Sequence, residues 1–479
     1  MRKHDCRERE SIFPLLRQSA AATVAGLSIT ASALLLLLLS GLGARIGAQE
    51  LIFLEYPFPS SVDEDVTPIE VSFRERIFPS PMFLSLKQQL KDAPDFFRDT
   101  QLDFNTRSYY FYRDRFDGSV NEAWAMGGAL SYRSGWFLDR FGMGAALYTA
   151  QRLYGPQDRD GTLLLKPGQH GYTVLGQIYG KVKLFEDHFL NLYRYEYNTP
   201  FINKNDSRMT PNTFEGYTLQ GVFGSGDGAP TFRYVGGYIT KIKERNADDF
   251  IWMSRAAGAS AKRGVGMVGG LFTYGKFSLG AFNYYSQDII NIFYTESRYS
   301  FPITDAFGAL FALQFTDQRS VGSDLLQRKF STNQVGLKAE ASYGGAVLAL
   351  GYTHANRGAD LRGPWGANPS YTAVQFGLFN RAGEQAVISR LSYDFSRLGL
   401  EGVGASVLVV HGWSRIDPTT KSNVPNENEF DADFQWRPTW SFLKGFSARL
   451  RYARVHQYQG PRDTLNEYRA IFNYDFGLL

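Results

Sequence analysis

The chain has 479 residues, with 51 Lys plus Arg against 47 Asp plus Glu, and a formal net charge of +4. That balance argues against a nucleic-acid binder, whose basic patch normally shows in the total. The only cysteine is Cys6, so no disulfide framework holds the fold together.

Residues 1–48 have the layout of a secretory signal peptide. Arg2, Lys3, Arg7, Arg9 and Arg17 precede an apolar stretch from Ala20 to Gly43, and small residues follow as far as Ala48. Ala44 is a second candidate for the last residue of the leader. The stretch is also long enough to span a bilayer as an uncleaved anchor. On either reading the chain leaves the cytoplasm. Six basic and three acidic residues go with the leader, which lowers the net charge from +4 to about +1. No later apolar run approaches the length of a membrane helix.

Residues 49–96 read as an extended periplasmic lead-in, carrying Pro57, Pro59, Pro68, Pro79 and Pro81 and the acidic run Asp63 to Asp65. Leu84 to Leu90 has room for one or two helical turns. From Thr100 onward apolar and polar residues alternate with period two, the mark of strands. Leu102, Phe104, Thr106, Ser108, Tyr110 and Tyr112 alternate with Asp103, Asn105, Arg107, Tyr109, Phe111 and Arg113. Gly344-Gly345 joins two such runs as a tight hairpin turn.

Counting predicts eighteen strands, from 101–113 and 122–133 through 384–395, 429–438, 446–456 and 465–476. Long polar connections (152–170, 198–215, 244–262, 357–383) alternate with short ones such as 185–187. An even strand count with short turns at one end and long loops at the other fits a bacterial outer-membrane barrel. A sheet that spans a bilayer must close, because lipid offers no partner to unpaired backbone groups. The expected fold is therefore all-β: a transmembrane antiparallel up-and-down β-barrel over residues 97–479. A soluble β-sandwich would also alternate, but would not need eighteen strands or charges in the middle of so many hidden faces.

Four stretches resemble outer-membrane porins of the OprD type. They are Arg107-Ser108-Tyr109-Tyr110-Phe111-Tyr112-Arg113-Asp114, the segment Asn205 to Gly216, and Gly363-Pro364-Trp365-Gly366 through Arg381-Ala382-Gly383-Glu384 to Tyr393-Asp394-Phe395. The fourth runs from Leu443-Lys444-Gly445-Phe446 to Asn473-Tyr474. Each is moderately specific, and their order carries the resemblance. The lead-in is longer than that family needs, and Leu479 stands where a terminal aromatic is common. The resemblance implies a monomer or loose trimer in the outer membrane of a Gram-negative bacterium, surrounded by its lipid. It implies a narrow channel with the third and seventh loops folded inward and a basic ladder on one wall. The expected solutes are small and carry a carboxylate: amino acids, or aromatic or aliphatic acids.

Alternation independently puts Arg107, Arg113, Arg390, Arg437, Arg449, Arg451 and Arg469 on the lumenal face. All but Arg390 fall on the last three strands and the first, which are neighbours once the barrel closes. Guanidiniums gathered on one face suggest an anionic partner; the plainer reading is charge balance with Asp394, Asp431, Asp433 and Glu467. A smaller basic group (Lys181, Lys183, Arg233, Lys241, Lys243) lies further round. In the third loop, 198–215, the residues Asn205, Asp206, Arg208 and Glu215 are expected to set a constriction opposite the basic wall. Trp365, Asn368, Ser370 and Tyr371 mark the seventh loop, 357–383.

The histidines show no paired spacing for zinc, and no nucleophile motif or triad is recognisable. Neither a metal nor a cofactor is expected, and the chain does not read as an enzyme. The rival readings are a general diffusion porin without selectivity and an outer-membrane hydrolase barrel.

Overall fold

The computed structural model describes residues 82–479 except 225–227, 305–306, 327–328 and 459–461. The expected leader and most of the lead-in lie outside the described residues. The strands are β1 (Gln101–Asp114), β2 (Val120–Arg133), β3 (Phe141–Tyr154), β4 (Tyr172–Phe185), β5 (His188–Tyr195) and β6 (Thr213–Phe223). Next come β7 (Thr231–Lys243), β8 (Ile251–Trp252), β9 (Val265–Tyr274), β10 (Phe277–Ser286), β11 (Ile290–Pro302), β12 (Phe307–Arg319) and β13 (Ser331–Tyr343). The series ends with β14 (Ala346–Ala355), β15 (Gln385–Asp394), β16 (Val403–Trp413), β17 (Glu427–Trp436), β18 (Phe446–Gln457) and β19 (Thr464–Gly477).

Eighteen of these form one antiparallel sheet. β8 is a two-residue excursion of the loop after β7, paired to β7 through Lys241↔Trp252 and Ile242↔Ile251. The sheet closes on itself: β1 pairs with β19 from Asp103↔Gly477 to Asp114↔Asn466. Closure leaves no strand edge to the membrane, as a spanning sheet requires. Gly344 (φ 57°) and Gly345 (φ 93°) make the two-residue turn between β13 and β14, which needs positive φ at both central residues.

Alternation sorts the side chains. In β1 Phe104 is exposed outward, and Tyr109 and Phe111 are buried inward. Leu313, Val407, Val409, Leu450 and Phe472 likewise face out from their strands, where the solvent is lipid. The apolar interior is at the long-loop end, the extracellular side of such a barrel. There Tyr197, Phe201, Ile202 and Trp365 from the loops pack on Ile239, Tyr284 and Tyr294 of the wall.

At the opposite end the lead-in forms α1 (Leu84–Gln89), a 3-10 turn Leu90–Asp92 and α2 (Asp95–Arg98). Met82 N donates to Gly477 O at 3.0 Å and Phe83 N to Leu478 O at 3.1 Å, so the lead-in is tied to the last strand.

Candidate functional site: the lumenal arginine wall

Strand register builds the wall. Reading from the long-loop end, Arg113 of β1 stands opposite Glu467 of β19. One pleat in, Phe111 faces Arg469, which faces Arg451 of β18, itself opposite Asp433 of β17. The next row holds Tyr109, Ile471 and Arg449, and the one after it Arg107, Asn473 and Ser447. Successive rows are two residues, or about 7 Å, apart along the strand.

Each of these arginines meets a carboxylate. Arg449 Nη2 lies 2.6 Å from Asp433 Oδ2, and Arg451 Nε lies 3.0 Å from the same atom. Glu467 likewise serves two arginines, taking Arg113 on one oxygen and Arg469 Nε at 2.6 Å on the other. Two guanidiniums thus share each of these carboxylates. Exposure divides the set. Side chains of Arg107, Arg113 and Arg449 are 16%, 14% and 22% exposed, against 5% for Arg451 and 1% for Arg469. The first three reach the lumen, and the last two are packed into the wall. Arg113, Arg208 and Arg469 also surround the Phe111 ring, 5.1, 5.2 and 5.6 Å from its centroid, each a cation facing the negative side of the π system.

The third loop comes to this wall and not, as the sequence suggests, to a place opposite it. The reason is charge: Asp206 takes Arg107 Nη1 at 2.6 Å and Nη2 at 3.0 Å. Arg107 also donates to Arg208 O at 2.5 Å and to Asn473 Oδ1 at 2.9 Å. Arg208 is buried and donates to Thr162 O at 2.9 Å and Ser207 O at 2.7 Å. Asn205, with φ 39°, accepts from Ser207 Oγ at 2.9 Å and Arg245 Nη1 at 3.0 Å. Glu215 does not belong to this group. It lies in β6, where Lys241 Nζ (2.9 Å) and Arg194 Nε (3.4 Å) hold it, so the loop proper ends three residues before it.

Two ladder arginines are also set apart. Arg437 is exposed and lies past the end of β17, its N–H donating to Gly402 O at 2.8 Å in the turn region. The strand stops two residues earlier than its alternation implies because Pro438 cannot extend the ladder. Arg390, on β15, lines a separate lumenal cavity with Glu296, Lys338, Glu340 and Tyr371. In the smaller basic group Lys183 pairs with Asp139 at 3.2 Å and Lys241 with Glu215, while Lys243 is fully buried. Asp394 is occupied in accepting from Ser396 N at 3.0 Å.

The seventh loop supplies residues that alternation cannot find. Phe376 N and Gly377 N each donate to Glu429 at 2.7 Å, and Gln375 N donates to Asp431 at 3.1 Å. Arg469 Nη2 donates to Gln375 O at 3.0 Å. Main-chain donors therefore fasten loop residues 375–377 across the acidic side of β17, with the Phe376 ring 5.1 Å from Arg113. Main-chain donors carry no residue-type signal, so alternation names Asp431 and Asp433 on this face but does not single out Glu429. Trp365 is fully buried and donates to Met253 O at 2.9 Å, and Tyr371 OH donates to Glu296 at 2.6 Å. Among the described residues no group of three or more His, Cys, Asp or Glu is placed to hold a metal.

A sequence model of the OprD family, described as outer membrane porin, matches residues 94–478. Porin D of Pseudomonas aeruginosa is 26% identical over 428 residues, which are 81% of this chain and 93% of that protein. Among solved structures, OccK9 (OpdG) of P. aeruginosa superposes with a TM-score of 0.72 at 24% identity, covering 80% of this chain and 100% of that one. OpdK of the same species, solved with vanillate, gives 0.69 at 20% identity, again over 80% and 100%.

Proposed function

Because this chain belongs to the OprD family of outer-membrane porins, a channel through which small solutes diffuse, we propose that its preferred solutes carry a carboxylate. The observation that carries the reading is the run of partly exposed guanidiniums, Arg113, Arg449 and Arg107, down one wall of the channel, with Arg113 and Arg449 each sharing its carboxylate with a second arginine. A solute carboxylate is a further acceptor for the same donors. The partly exposed steps are Arg113, Arg449 and Arg107, set about 13 Å and then about 7 Å apart along the strand direction. Arg451 and Arg469 act beneath them, positioning the carboxylates and the seventh loop. Vanillate, with which one structural neighbour was solved, is itself a small carboxylate.

A unit ion pair at 4 Å is worth up to about 4 kcal/mol at an effective dielectric of 20, before desolvation is subtracted. Conduction requires each contact to be weak enough to leave. The acids already on the wall serve that end by competing for each guanidinium, so no one step traps the solute.

We further assign the leader to 1–48, the lead-in to 49–96 and the barrel to 97–479; N-terminal sequencing of the mature protein reads the first of these boundaries. The barrel acts as a monomer or loose trimer.

Liposomes carrying the protein test the solute class. Flux of benzoate relative to benzamide should fall by roughly tenfold, about 1.4 kcal/mol, in Arg449→Ala, and much less in a control at exposed Arg454. Equal benzoate and benzamide fluxes through the unaltered protein would leave a general diffusion porin as the reading.

A further inference from the structure

On the membrane side of β10–β12, at the long-loop end, lies a groove of about 450 Å³ lined by Tyr285, Asn291, Phe293, Phe315, Asp317 and Arg319. Their neighbours Tyr284, Ile292, Thr316 and Gln318 are buried inward, so by alternation the groove residues face lipid. Register stacks them: Tyr285 opposite Asn291, Asn291 opposite Arg319, and Phe293 opposite Asp317. The rings make an apolar floor and the charged pair makes its outer edge.

We propose that this groove holds a phosphorylated lipid of the outer leaflet, its acyl chain on the aromatic floor and its phosphate against Arg319. A cation on the lipid face is tolerated only near the interface, and Arg319 is the last residue of β12. Its Nε and Nη2 both donate to Asp317 Oδ1, at 2.8 and 2.7 Å, which fixes the guanidinium while 57% of the side chain stays exposed. The guanidinium stands at the strand end beyond the aromatic floor, the arrangement that an anionic headgroup with an apolar tail complements. The volume falls in the range of small-molecule sites. Beside it the outer surface is bare: a Cβ on Gly266, opposite Tyr285, would meet nothing nearer than 3.7 Å. That leaves a smooth strip on which a chain can lie. The strand connection above it, residues 287–289, is short and keeps the rim low at this point.

The test is native mass spectrometry of the purified full chain in detergent, titrated with lipid A, with lipid A stripped of its phosphates, and with phosphatidylcholine. Lipid A should bind the unaltered protein best. Retention should drop about tenfold in Arg319→Gln, the loss of one charge-assisted hydrogen bond. It should be unchanged in Arg454→Gln, an exposed arginine of β18 outside the groove. A parallel variant, Phe293→Ala, should weaken lipid A and its stripped form alike. Equal losses at Arg319 and Arg454, or no preference for the phosphorylated lipid, would overturn the assignment. So would disulfide-linked dimers of Phe293→Cys, which would show a second copy of the chain on this face.

Discussion

Arg107 of β1 and Asp206 of the third loop, 99 residues apart in the chain, meet in a two-point contact of 2.6 and 3.0 Å inside the barrel. The same guanidinium reaches Arg208 O and Asn473 Oδ1. One side chain thus sets both the position of the loop and a step of the basic wall.

Asp206→Asn should therefore do two things. It frees Arg107 for solute and it loosens the loop, at a cost of about 1.5–3 kcal/mol for a charge-assisted contact. Limited proteolysis of the folded protein should cut the 196–212 loop faster, and single-channel records should become noisier. Unchanged cleavage and noise would show that the pair does not hold the loop.

Trp365→Ala removes the side chain that joins three loops: its ring is fully buried, its Nε1 donates to Met253 O, and its backbone pairs with Ile202. The expected cost is about 3–5 kcal/mol, typical of Phe or Trp truncation in a core. Because the barrel wall is untouched, the loss should appear as faster hydrogen exchange in 196–212 and 356–384 while the strands keep their protection. Equal exchange gains in the strands would contradict this.

These loops mark where sequence reasoning stops. Period two is a property of the strand backbone, so Arg107, Arg113, Arg449, Arg451 and Arg469 could be placed on one face from the chain alone, and closure made β19 and β1 neighbours. Arg437 lies past the end of β17 and Glu215 inside β6, because alternation does not say where a strand begins or ends. The family resemblance implies inward loops but not the contacts that dock them. Asp206 finds Arg107 across 99 residues, and Glu429 is met by main-chain N–H groups that any residue presents. Which arginines remain exposed depends on that docking, so alternation alone could not separate Arg449 from Arg469.

Glu384, at the end of the seventh loop, gives a pH dependence. Burial pushes its carboxyl up from an ordinary value of 4.5 to about 7, against the pull of Arg415, whose Nε is 3.4 Å away. A carboxyl with a raised value binds its proton more tightly when folded. Its contribution is complete below the unfolded value and is lost as pH rises through about 7. The loop anchor should thus be firmer at pH 5 than at pH 8, read as slower exchange at Arg381 to Glu384, whose N–H and carboxylate are bonded at 2.9 Å. Glu384→Gln should remove the difference between the two pH values.

Gly128 of β2 has φ 144°, and a Cβ there would fall 1.9 Å from Asn105 O in β1. Gly128→Ala must push apart two strands of a closed sheet and hold a residue in a backbone region that costs about 1–3 kcal/mol. Heat-modified mobility on gels should show a lower unfolding midpoint, with Gly180→Ala, which has open space around it, as the matched control. Equal midpoints would count against a tight β1–β2 approach.

Recognition of an anion by the partly exposed arginines is tested most directly by single-channel current in planar bilayers. With benzoate on the long-loop side, the unaltered protein should show brief, concentration-dependent interruptions that benzamide does not cause. Arg107→Ala and Arg449→Ala should each shorten them. Interruptions of equal frequency and length with benzoate and benzamide, or unaltered in both variants, would contradict a carboxylate-conducting wall.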